Sequence, residues 1–156
     1  MGWLRALASL PPRPEKVSLV INSRNIADLL PRVAAKCSQF INECASIGID
    51  VIITSTYRDN ESQAQLYAQG RTLPGNKVTN ADAGHSFHNY RVAFDFCPIV
   101  NGKAVWNNPE LWNRCGRIAE QIGLEWGGAW DRFPDQPHCQ DTNGYTIAQY
   151  LAGNAK

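Results

Sequence analysis

The sequence predicts an α+β fold, a small antiparallel sheet with flanking helices, and three observations carry that prediction. Strand-like and helix-like segments follow one another without the regular alternation that builds a doubly wound parallel sheet. Asn101-Gly102 sits between two extended runs and is a strong signal for a tight antiparallel hairpin. Two segments, after Pro31 and after Pro109, repeat apolar residues at helical spacing. A chain of 156 residues and 17.3 kDa suits one domain and would cramp two.

Taken in order, Pro11-Pro12-Arg13-Pro14 cannot enter a helix or a sheet ladder, so residues 1–20 read as a partly irregular N-terminal extension and 21–156 as the single domain. Pro31 takes the first-turn position of a helix that carries Val33, Cys37, Phe40, Ile41 and Cys44 on one face and ends at Gly48. Ile49 to Ser55 is short, β-branched and apolar, which predicts a buried strand. Asn60 with Gln63 has the pattern of a capping box opening a helix that Gly70 ends. Residues 71–90 hold few aliphatics and read as a long, functional loop. Val92–Val100 is the next strand, returned by Asn101-Gly102 into Lys103–Trp106. Pro109 to Gly123 is amphipathic through Leu111, Trp112, Cys115, Ile118, Ala119 and Ile122. Gly127-Gly128 punctuates a loop, Pro137–Gln140 forms a last strand and Thr146–Leu151 a short closing helix.

Composition excludes several function classes. With 44% apolar and 19% charged residues the chain is not disordered. Fifteen basic and fourteen acidic side chains lack the basic excess of a general nucleic-acid binder. Residues 1–36 carry six basic and two acidic side chains, a net of +4, for which a solvated face is the plainer reading and an anionic partner the sharper one. No apolar run approaches the ~18–20 residues of a membrane-spanning helix. The apolar stretch after Arg5 is shorter than the ~7–15 residues of a signal-peptide core, so a cytoplasmic product without a secretion signal is expected. Cys37, Cys44, Cys97, Cys115 and Cys139 are odd in number and include no CxxC, which argues against a disulfide framework and a zinc ribbon. Cys37 and Cys44 read as core thiols.

Three histidines, His85, His88 and His138, are the only ones, and all lie in or after polar loops. In the strand beyond His88, Val92, Phe94 and Phe96 share one face and Ala93, Asp95 and Cys97 the other. If the phenylalanines meet the core, Asp95 points the opposite way beside a small Ala93. Such a carboxylate is costly to bury unless it is paired or bound to a metal. Downstream, Pro137 biases Gln136 to extended backbone, and a His138 turned toward Asp95 would turn Cys139 away. Two imidazoles and a carboxylate suit a zinc ion with one open position. The residues alone leave open both a metal site and ordinary loop histidines. They likewise leave Asp135 between catalytic acid and turn residue, and Arg58 between anion clamp and surface ion pair.

Ser86-x-His88-x-x-x-x-Ala93-x-Asp95 resembles the SxHxxGxAxD motif of the LAS zinc metallopeptidases, which include D-Ala-D-Ala carboxypeptidases, phage L-alanyl-D-glutamate endopeptidases and the hedgehog signalling domain. Asp135-x-x-His138 is similar to their acidic-x-x-His motif, and Ser55-Thr56-Tyr57-Arg58 with Gln63 to their Ser-x-Tyr-Arg and downstream Gln. Order and spacing agree from about Ile21 to Gln140. The motif glycine is Arg91 here. The resemblance implies an antiparallel sheet with a zinc site in a cleft upon it, and His88, Asp95 and His138 as ligands, with His85 the less suited alternative to His88. It implies Asp135 as general base and then acid, and Arg58 as a clamp for the oxyanion or a substrate carboxylate. Ser86 and Gln63 would contact substrate, with loop or helix capping as their ordinary roles. Arg71 and Lys77 in the long loop would meet the D-Glu carboxylate or be ordinary loop charges, and Tyr57, Trp126 and Trp130 would wall the cleft or join the core. The implied activity is that of a phage endolysin. A zinc-dependent monomer without a separate wall-binding domain would hydrolyse the L-Ala–D-Glu bond of peptidoglycan stem peptides. A separate holin-like protein would release it from the cytoplasm to the periplasmic wall. The alternatives are a D-Ala-D-Ala carboxypeptidase or dipeptidase, and a zinc-stabilised binding module without catalysis.

Overall fold

The computed structural model of the protein describes residues 20–156. Apart from Val20, the expected extension over 1–20, with its proline stretch and Arg5, Arg13 and Lys16, lies outside them. Helix α1 (Pro31–Ser46) starts at Pro31, whose fixed φ suits the first turn. It buries Val33, Cys37, Phe40 and Cys44, and Gly48 at φ +77° follows its end. The remaining elements are β1 (Asp50–Ser55), α2 (Asn60–Ala68), β2 (Ala93–Val100), β3 (Lys103–Ala104), α3 (Pro109–Gln121), β4 (Glu125–Trp126), β5 (His138–Gln140) and α4 (Ile147–Leu151). Single 3-10 turns stand at Ile26–Asp28, Phe87–Tyr90 and Gly127–Ala129.

The strands form one antiparallel sheet in the order β1-β2-β5-β4, with β3 folded back on β2 through Asn101 and Gly102 at φ +51° and +73°. Register gives the sheet two faces. Phe94, Cys139 and Trp126 stand opposite one another across β2, β5 and β4 and face the helices. There Phe40 of α1 meets Phe94 and Phe96 with ring centroids 5.9 and 4.7 Å away, and Trp112 of α3 meets Phe96 at 5.1 Å. A Cβ on Gly116 of α3 would overlap the Trp126 ring, so only glycine lets α3 approach β4 this closely. All five cysteines are buried and free, and burial pushes the Cys37 thiol up to about 12.

Several local expectations need correction. β1 is not a buried strand: it pairs only with β2 and forms the sheet edge, leaving Asp50 exposed and Ile52 45% exposed. The cap of α2 is Asp59, whose carboxylate accepts from Ser62 N at 2.7 Å; Asn60 is the first helical residue and Gln63 turns elsewhere. Arg58 follows β1 and is bridged to Asn22. The return strand β3 is only two residues long, and β4 lies in a stretch that shows no strand pattern. Two basic residues of the N-terminal excess are engaged by Asp141: Lys36 pairs with its carboxylate at 2.8 Å and Arg32 donates to its carbonyl at 3.1 Å.

Arg91, in place of the motif glycine, takes a left-handed backbone conformation that favours glycine. It caps the Phe87–Tyr90 turn at φ +63°, ψ +26°, a left-handed geometry that costs an ordinary L-residue roughly 1–2 kcal/mol. Its guanidinium offsets this by stacking 3.9 Å from the Tyr57 ring and donating to Asp28 O at 2.8 Å. Arg91→Gly should therefore change unfolding free energy by less than about 1 kcal/mol, strain relief cancelling lost contacts. Arg91→Val, β-branched and without those contacts, should lose about 2–3 kcal/mol in urea titration. Equal stability of the valine variant and the parent would contradict the strain account.

Candidate active site

The sheet face opposite the phenylalanines floors a cleft of about 840 Å³. Asp95 stands directly across from Ser55 on one side and His138 on the other, so register alone places the carboxylate and the imidazole together. His88 arrives from the Phe87–Tyr90 turn. Its backbone N–H donates to Ser86 Oγ at 3.3 Å, and Ser86 with Asn89 completes a capping box. The turn that delivers Asp135 and His138 closes with His138 N donating to Asp135 O at 3.1 Å and Asp135 N to Gly127 O at 2.9 Å. A Cβ on Gly127 would lie 2.6 Å from Asp135 O, so this approach too requires glycine.

His88 Nε2 and His138 Nδ1 lie 3.1 and 3.2 Å from the same atom, Asp95 Oδ1. The far nitrogen of each ring faces an oxygen: His88 Nδ1 the Thr56 carbonyl at 2.6 Å, His138 Nε2 the Gln140 amide oxygen at 2.9 Å. Those far nitrogens must carry the hydrogens of neutral rings, which leaves two lone pairs and a carboxylate converging on one point. Acceptors cannot face one another without a proton or a cation between them. The three ligand atoms lie within 4.8 Å of one another, and two of their separations approach the edge of about 3.3 Å expected for a tetrahedron with zinc bonds of about 2.0–2.1 Å. The residues present fit a zinc ion.

The charges agree with this geometry. Burial by itself raises the Asp95 pKa, but when a proton rather than a cation lies among the three groups, the His88 charge and the hydrogen bonds of the protonated rings outweigh it and hold the carboxyl well below its usual range. Burial lowers His88. Burial lowers His138 as well, but a proton on Nδ1, held by the hydrogen bond and charge of Asp95, overcomes it and raises the pKa. Asp135 is raised, chiefly by burial, toward the range of a usable proton carrier. Arg58 lies beside this group, with Nη2 3.4 Å from Asp95 Oδ2 and Nη1 donating to Gln63 Oε1 at 3.0 Å. Its buried Nε has no protein partner among the described residues.

The cleft thus brings together Arg58, Ser86, His88, Asp95, Asp135 and His138. Gln63 is fully buried beneath it, accepting from Arg58 and donating to Ala81 O at 2.7 Å, so it supports the arginine rather than lining the cleft. Arg71 and Lys77 do not line it either. The Arg71 guanidinium stacks 3.9 Å over Tyr67 and donates to Tyr67 O and Thr79 O, bracing its own loop. His85 lines the cleft but stays outside the ligand cluster. Of the three aromatics expected to wall the cleft or join the core, Trp130 lines the cleft, Trp126 is in the core and Tyr57 lies under Arg91. Trp106 and Phe133, the latter 78% exposed at φ +55°, line the cleft without any sequence signal that marked them.

A family model described as D-alanyl-D-alanine carboxypeptidase matches residues 79–141, which hold every expected ligand. The peptidoglycan L-alanyl-D-glutamate endopeptidase CwlK of Bacillus subtilis (strain 168) is 40% identical over 123 residues, spanning 73% of this chain and 74% of that protein. The chain belongs to the LAS-type metallopeptidase family. The L-alanyl-D-glutamate peptidase of Listeria phage A118 is 29% identical over 119 residues, and the chain spans 39% of that longer protein. Among solved structures, the L-Ala D-Glu endopeptidase ChiX of Serratia marcescens superposes with a TM-score of 0.57 at 18% identity, over 84% of this chain and 92% of that one. The vancomycin-resistance D,D-pentapeptidase VanY, solved in complex with Zn(II), superposes at 0.56 and 14% identity, over 79% of this chain and 83% of that one. Both share the LAS-type fold. Zinc is the cofactor of this family, and the chain is a metallopeptidase.

Gln63 yields a prediction. Gln63→Leu removes the acceptor of Arg58 Nη1 and strands the Ala81 carbonyl, so stability should fall by about 1–3 kcal/mol. Hydrolysis should slow by roughly tenfold or more as the guanidinium loses its fixed position. Thermal melting and kcat/KM measured on one preparation check both; unchanged values would mean the arginine needs no support.

Proposed function

We propose that the protein is a zinc-dependent peptidoglycan endopeptidase that hydrolyses the L-Ala–D-Glu bond of stem peptides. The observation that carries this is the convergence of three acceptor atoms, from His88, Asp95 and His138, beside Asp135 and Arg58 in one cleft. Membership of the family and the activity named for CwlK support the choice of bond. In this reading His88 offers Nε2, Asp95 a carboxylate oxygen and His138 Nδ1 to the ion. Zinc, when bound, supplies a Lewis acid that polarises the scissile carbonyl and makes water nucleophilic at neutral pH.

The remaining roles belong to the chain. Asp135, raised by burial, takes the proton of the attacking water and hands it to the departing amide nitrogen. Arg58, permanently charged and held by Gln63 and Asp95, stabilises the negative charge that develops on the carbonyl oxygen. Ser86 holds His88 through the cap of its turn and faces the cleft, where it is available to the peptide. The protein acts as a monomer of one catalytic domain over residues 21–156. It reaches the wall once a separate holin-like protein has opened the membrane. Among the described residues no helix is long and apolar enough to cross a membrane.

Two measurements test this. Asp135→Asn keeps the shape of the side chain but cannot accept a proton, so it should retain one zinc per chain and lose activity by roughly 10²–10⁴-fold. Turnover near that of the parent in the metal-replete variant would remove Asp135 from the reaction. Digestion of intact sacculi should release peptides with a new N-terminal D-Glu by mass spectrometry, and a free pentapeptide should be cut at the same bond. If terminal D-Ala is the only product, the enzyme is a carboxypeptidase instead.

A further inference from the structure

We propose that Gln140 and Glu125, steadied by Trp130, are positioning residues that dictate which ring nitrogen of His138 carries hydrogen and so which one is offered to the metal. The proposal rests on the reading of His88, Asp95 and His138 as zinc ligands.

Sheet register builds the arrangement. Asp95 and His138 form one cross-strand row, and Ala93, Gln140 and Glu125 form the next row on the same face. Ala93 is small, which leaves the longer Gln140 room to lie beside His138. Gln140 is only 5% exposed. His138 Nε2 is 2.9 Å from Gln140 Oε1, Gln140 Nε2 is 2.9 Å from Glu125 Oε2, and Trp130 Nε1 donates to Glu125 Oε1 at 2.7 Å.

The polarity of this chain runs one way. An indole N–H only donates and a carboxylate only accepts, so the Gln140 group facing Glu125 must be its NH2. Its carbonyl oxygen then faces His138 Nε2, which must carry the hydrogen. A neutral imidazole has one such hydrogen, so Nδ1 keeps its lone pair, aimed at the ligand cluster 3.2 Å from Asp95 Oδ1. Flipping the Gln140 amide would set oxygen against carboxylate at one end and N–H against N–H at the other. His88 solves the same problem with the Thr56 backbone carbonyl, which no substitution removes. His138 depends on side chains, and the last of them, Trp130, lines the cleft with its ring 5.4 Å from that of His138.

The test pairs zinc affinity, by competition with a chromophoric chelator, with ¹⁵N-histidine spectra of the metal-free protein at alkaline pH, where the rings are neutral. Only three histidines need assignment. The parent should show His138 as the Nε2–H tautomer. Gln140→Leu should show mixed tautomers and bind zinc about 10–100-fold more weakly, the usual worth of a partner behind a ligand. Glu125→Gln, which lets the amide pair flip, should shift both readouts the same way by a smaller factor. The exchange Glu125→Gln with Gln140→Glu restores polarity, since the new carboxylate accepts from Nε2–H and from the new amide. Its zinc affinity should return to within about threefold of the parent, a rescue that a merely structural role does not predict. Parent-like affinity and tautomer in Gln140→Leu would overturn the proposal, as would an exchanged pair that binds zinc no better than Gln140→Leu. If the parent binds no zinc, or His88→Ala binds it as tightly as the parent, the ligand assignment is what fails, and the metal-free tautomer spectra decide the hydrogen-bond chain alone.

Discussion

The geometry depends on one electrostatic constraint: Asp95 shares a single oxygen with two imidazole nitrogens whose own hydrogens are committed elsewhere. Three acceptors held this close repel one another unless something positive lies among them. The fold tolerates that arrangement because strand pairing, not side-chain choice, sets the position of two of the three groups. The third is brought by a turn whose exit residue, Arg91, stays left-handed despite its side chain. The price is carried by backbone features away from the cluster.

The same sheet separates two environments by its pleat. One face buries Phe94, Cys139 and Trp126 against α1 and α3, and the other carries Asp95, His138 and Gln140 under the cleft. A rigid hydrophobic underside keeps the polar side from relaxing, since tightly packed interiors transmit displacement rather than absorb it. The glycines at 116 and 127 belong to this design. Each permits a close approach, of α3 to the Trp126 ring and of the Gly127 turn to the Asp135 backbone, that any side chain would prop open.

Much of the site was legible because it rests on period-two alternation and on linked motifs. Alternation about Phe94 and Phe96 turned Asp95 away from the core, and the X-Pro pattern before His138 turned Cys139 into it. What the sequence hid depends on neighbours in space. Whether an apolar run such as Val51–Ile53 lies at a sheet centre or edge is decided by pairing partners, and β4 is too short to show a period. Gln63 looked like a capping residue because its spacing from Asn60 is right, but a buried arginine makes a stronger claim on its amide. Arg71 and Lys77 are loop cations like many others, and only packing reveals that Arg71 is bound to its own loop. Among the aromatics, Trp126 and Trp130 differ by four positions and have opposite fates, which residue type alone cannot distinguish.

The cysteines have a practical consequence. All five are sealed in the interior with no exposed surface, so no reagent meets a thiol of the closed fold. An alkylating reagent reaches them only through openings of the fold. The rate at which such a reagent consumes the thiols is therefore a clock for those openings, set by the unaltered protein without an added label. Run with and without zinc, it would measure how far the ion slows the breathing of the interior beneath it.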